Sequence, residues 1–96
     1  MIRHLVAIKW KDATTPREIE ELTKLLADLP RLVPQAKHFE FGPDLLRYER
    51  SFDFGVAALF DSMDALKTYL DHPDHLVVRK KLLAMAERSI LVDFEV

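Results

Sequence analysis

The chain reads as an α+β domain: a ferredoxin-like four-stranded antiparallel sheet with helices on one of its faces. Three observations carry that reading. Hydrophobic periodicity alternates along the chain between a period of two and one of about 3.6 residues, in the order strand, helix, strand, strand, helices, strand. Proline and cap residues stand where each helix should begin, and one strand is apolar on both of its alternating sides.

The first strand runs from Arg3 to Lys11, with His4, Val6, Ile8 and Trp10 on one side and Leu5, Ala7 and Lys9 on the other. Thr15-Pro16-Arg17-Glu18 then supplies an N-cap, a proline at the first helical position and a glutamate three residues after the cap. Ile19, Leu22, Leu26 and Leu29 continue at helical spacing, and Pro30 and Pro34 predict a stop near Leu29. Lys37 to Phe41 is a second strand closed by Gly42-Pro43, and Asp44 to Arg50 is a polar loop. Phe54 to Phe60 is the third strand. Asp61 or Ser62 caps a second helix carrying Met63, Leu66 and Tyr69; a third helix runs from Pro73 to about Glu87, and Ser89 to Glu95 is the last strand.

The third strand has functional reach. Helices covering one face of the sheet leave Leu5, Ala7, Ala57 and Leu59, or their alternates, on a second apolar face. A contiguous exposed apolar face exceeds what soluble monomers usually tolerate, and the simplest cover is a second copy of the chain related by two-fold symmetry. The expectation is a homodimer with the sheets face to face, a dimeric α/β barrel. Lys9, Lys37 and Asp53 are the residues that would make this face polar enough to stand alone.

Composition excludes several functions. A net charge of -2 offers no electrostatic footprint for nucleic acid, and Arg79-Lys80-Lys81 reads as the solvated face of a helix. No cysteine is present, so thiolate nucleophiles, disulfides and zinc–thiolate sites are out. No apolar run is long enough to span a bilayer, and Met1 leads into the first strand without a cleavage site, so a cytoplasmic setting is expected.

The chemistry concentrates in Tyr69-Leu70-Asp71-His72-Pro73-Asp74-His75. Pro73 is suited to the first helical position, which places His75 in the first turn, where the positive end of the helix dipole disfavours an imidazolium. His75, Val78, Leu82 and Met85 share one stripe of the helix, and a break at His72-Pro73 can turn Tyr69 toward the same space. A hydrogen-bonded core histidine and a packing tyrosine give the same pattern. His72, Asp74 and His75 have donors enough for a metal, but crowded about a proline turn they are not expected to supply a closed shell, and no metal or organic cofactor is assigned.

The opening Met1 to Asp12, the Y-x-x-H-P-x-H run from Tyr69 to His75 and the ending Val92-Asp93-Phe94 resemble the stress-responsive A/B barrel (Dabb) family along essentially the full length. The resemblance implies a single domain over residues 1–96, the dimeric barrel and, through the family's plant polyketide cyclase that forms olivetolic acid by aldol condensation, a chemistry. His75 would be the general base and Tyr69 the hydroxyl that holds or polarises the reacting carbonyl. The implied small-molecule pocket takes in His4 with Val6 and Ile8, Leu22 and Leu26 of helix one, His72, and Val78 and Leu82 of helix three. Helix one departs from the cyclase by offering Leu22, Thr23 and Leu26 in place of aromatic side chains, so the plant substrate does not carry over. Some family members hold a cation on backbone carbonyls after helix one, near Pro30, Val33 and Ala36 here. Three classes stay open at this level: a cofactor-independent lyase or cyclase, a non-catalytic carrier, and a stress-related structural protein.

Overall fold

Four strands and three helices, described over Met1–Val96 in a computed structural model, follow the order β1 (Ile2–Trp10), α1 (Pro16–Leu32), β2 (Lys37–Pro43), β3 (Phe54–Phe60), α2 (Met63–Asp71), α3 (Pro73–Met85) and β4 (Ala86–Glu95). The sheet order is β2-β3-β1-β4 and every pairing is antiparallel, the ferredoxin-like arrangement. The sheet is open; it does not close into a barrel within one chain. No helix is long and apolar enough to cross a membrane.

Local signals explain most boundaries. Thr15 caps α1 by accepting the Glu18 N–H at 3.2 Å, while the Glu18 carboxylate accepts the Thr15 N–H at 3.0 Å. Both donors would otherwise be orphaned, so Thr15→Ala should lower stability by about 1 kcal/mol, read as a shift in the denaturant midpoint at unchanged slope. An unchanged midpoint would mean the cap is idle in solution. Ser62 caps α2 through the Ala65 N–H at 3.1 Å.

Two helix ends and the facing of one residue differ from the sequence expectation. Helix α1 continues through Pro30 to Leu32, because a proline this near the end removes one rung of the ladder while Val33 N–H still reaches the Leu29 carbonyl at 2.8 Å and Leu29 and Val33 are fully buried. Helix α3 stops at Met85, short of Glu87: the Met85 carbonyl is taken by Lys11 N–H and by the Thr14 hydroxyl, both at 2.9 Å, and β4 starts at once with Ala86 opposite Trp10. Met63 is exposed, because steps of three residues drift by about 60° each and the face shared by Leu66 and Tyr69 has turned away from it.

The register sorts the two sheet faces. His4 lies opposite Ala58 and Asp93, and Val6 opposite Val56 and Leu91, all on the helix-covered side. The core sits there, built on Ile8, Leu22, Leu29, Phe60 and Leu66. Leu5 lies opposite Ala57 and Val92, and Ala7 opposite Gly55 and Ile90, on the other side. No helix covers that side: Ile90, Val92 and Phe94 are about half exposed and a shallow hollow of about 690 Å³ runs over Leu5, Ala7 and Ala57. Asp53, one of the residues through which this face could have been polar, accepts Trp10 N–H at 2.8 Å and Arg47 Nη2 at 2.7 Å and ties down the loop before β3. Those donors hold its carboxyl below the usual range, Trp10 N–H most of all.

Candidate functional site

A cavity of about 110 Å³ lies between the sheet and the helices, with His4, Tyr69 and His75 in its wall. Each is positioned by a different device. His4 arrives on β1 with its Nδ1 hydrogen-bonded to the Asp93 carboxylate of β4, its cross-strand neighbour. Tyr69 ends the buried face of α2. The chain then turns at His72, whose backbone N–H bonds to the Tyr69 carbonyl at 3.2 Å and whose Nδ1 accepts the Asp74 N–H at 3.1 Å as the cap of α3. With Pro73 opening α3, His75 falls back over Tyr69: the ring centroids are 4.3 Å apart at 49°.

The protonation pattern follows from this geometry. His75 Nδ1 lies 3.0 Å from the Leu70 carbonyl, which only accepts, so Nδ1 carries the proton and Nε2 keeps its lone pair. Burial lowers the His75 pKa from the ordinary histidine value, partly opposed by the bond to Leu70 and aided by the positive charge of His4, when protonated, and of Arg79. Desolvation comes first among these causes, where the sequence pointed to the helix dipole. Burial also raises the Tyr69 pKa, keeping its hydroxyl a donor at neutral pH. No buried side-chain polar atom lacks a partner. The Tyr69 hydroxyl and the Nε2 atoms of His4 and His75, none of which is bonded within the chain, therefore each reach accessible space.

The remaining wall is mostly apolar. Val6, Leu26, Val78 and Leu82 line the cavity as expected from sequence. Ile8 and Leu22 do not: both are fully buried in the core, on the expected faces but away from the cavity. His72 is outside the wall too, its ring used to cap α3. Residues that sequence reasoning did not single out are Asp93, which orients His4, and Val56, Leu70, Arg79, Leu83, Ser89 and Leu91 in the wall. A carboxylate within the apolar run Leu91 to Phe94 was the available signal for Asp93. For Arg79 it was the spacing of four residues from His75, one helical turn along the same stripe.

The arrangement offers one neutral base, one protonated phenol and a second, carboxylate-oriented imidazole around an apolar space. Comparison with known proteins places the chain. Stress-response A/B barrel domain-containing protein HS1 of Arabidopsis thaliana is 26% identical over 96 residues, covering 98% of this chain and 88% of that protein. Olivetolic acid cyclase of Cannabis sativa is 25% identical over 95 residues, covering 97% of this chain and 94% of the cyclase. The crystal structure of a dimeric ferredoxin-like protein of unknown function from Thermobifida fusca superposes with a TM-score of 0.91 at 34% identity, over 99% of this chain and 90% of that one. The model of the Stress responsive A/B Barrel Domain matches residues 2–96, and the chain belongs to that family.

Proposed function

We propose that the chain works as a homodimer, joined through its open sheet face, that takes a small, largely apolar carbonyl compound into the cavity and removes a proton from the carbon beside the carbonyl. His75 Nε2 accepts that proton. The Tyr69 hydroxyl donates to the enolate oxygen as charge builds on it; the enolate carbon then either attacks a second carbonyl, whose oxygen takes the proton from His75 as the carbon–carbon bond forms, or takes that proton back itself. The observation that carries the reading is the contact of His75 Nδ1 with the Leu70 carbonyl, which leaves the Nε2 lone pair free on a ring packed against Tyr69. The likeness to olivetolic acid cyclase supports ring closure as one outcome of such a step, and the dimeric relative from Thermobifida fusca supports the pairing.

The test is deuterium exchange. Purified protein in heavy water, given pentan-2-one and 4-oxopentanoate in turn, should speed exchange of the protons beside the carbonyl over buffer alone, with saturation at high probe concentration. Exchange no faster than buffer for either probe, together with a small molecule that co-purifies unchanged, would favour a carrier using the same cavity.

A further inference from the structure

Among the residues that line the cavity, Arg79 alone bears a permanent charge, and no carboxylate lies in the wall. It follows His75 by one turn on the stripe that also carries Val78, Leu82 and Leu83, so its stem rises from the same side of α3 as the base. Arg79 forms no ion pair. Lys81 of the same helix, by contrast, is bound to Glu21 of α1 at 3.2 Å. A guanidinium has five donors and no acceptor, and at the rim of an apolar space it remains free to meet two oxygens side by side.

We infer that the cavity selects an anionic ligand, a carboxylate carried on an apolar chain or ring, with Arg79 as the group that holds the carboxylate. This rests on the reading of the cavity as a ligand site and narrows it: the substrate is an oxo acid in preference to a neutral ketone. The apolar part lies against Val6, Leu26, Val78 and Leu82 while the charge stays at the rim, where desolvation is slight.

Calorimetric titration of the purified protein with hexanoate and with hexanamide, which match in size and differ in charge, tests it. Hexanoate should bind about tenfold more tightly at low salt, the ordinary gain of a charge-assisted pair, and the gap should narrow as salt is added. Arg79→Gln should remove the preference and Arg79→Lys should keep part of it, with circular dichroism showing each variant folded. Equal affinities in the wild type, or a preference untouched by Arg79→Gln, would overturn the inference while leaving the cavity a ligand site. Binding of neither probe would overturn both.

Discussion

His75→Ala should lower turnover by about two to four orders of magnitude on any carbonyl compound the wild type deprotonates, the usual contribution of a positioned general base. The loss should fall on kcat and kcat/KM together, because the imidazole acts on the proton in flight more than on the resting ligand. Tyr69→Phe should cost less and also raise KM, since in the proposed step the hydroxyl both holds the ground-state carbonyl and meets the developing oxyanion. The pH dependence follows from the direction of the shift. Burial lowers the His75 pKa, so the basic form prevails at neutral pH; activity should fall as pH drops through the lowered pKa and be level above it. The same shift acts on folding. Its contribution to stability is present above the unfolded value of about 6.5 and is lost as pH falls through the folded pKa. Steady-state rates for the three proteins between acid and neutral pH check this, and a His75→Ala enzyme as fast as the wild type would end the base assignment.

Ala57→Asp should break the proposed homodimer. Ala57 sits mid-sheet on the uncovered face, with Leu5 opposite on β1 and Glu40 opposite on β2. In a face-to-face dimer a carboxylate there would be buried without a counter-charge and would meet its two-fold mate and Glu40 as like charges. A penalty of about 3 kcal/mol or more corresponds to a hundredfold or greater rise in the dimer dissociation constant. Sedimentation at micromolar concentration should show twice the chain mass for the wild type and the chain mass for the variant. The single chain leaves Ala57 part-exposed, so the variant should still fold, and circular dichroism separates dissociation from unfolding. A wild-type monomer, or a variant that stays dimeric, would show that the open face pairs with nothing at that position.

Residues near one another in sequence were the legible part of this molecule. Thr15, Pro16 and Glu18 announce α1, Pro73 announces α3, and the two-faced run from Phe54 to Phe60 announces both a strand and an uncovered sheet face. His75 was legible because helical spacing ties it to Val78 and Met85, and all three are buried. Pro30 misled, since the penalty of a proline depends on how many rungs follow it and what packs on the last turn. The sequence shows the proline and not the packing.

Local patterning thus determined the order of elements, the apolar side of the strands and, Met63 apart, of the helices, and the presence of a phenol and two imidazoles about one helix start. Tertiary structure alone decided depth and partnership. Periodicity tells which side of β1 carries His4 and Ile8, but only the packing of the helices makes one a cavity wall and the other core. It places Arg79 in a basic run, and only the gap between α3 and the sheet makes it part of the cavity wall. The pairing of His4 with Asp93, 89 residues apart, depends on the β1–β4 register. Register is fixed by the summed burial of the whole sheet, a long-range quantity that no single stretch of the chain contains.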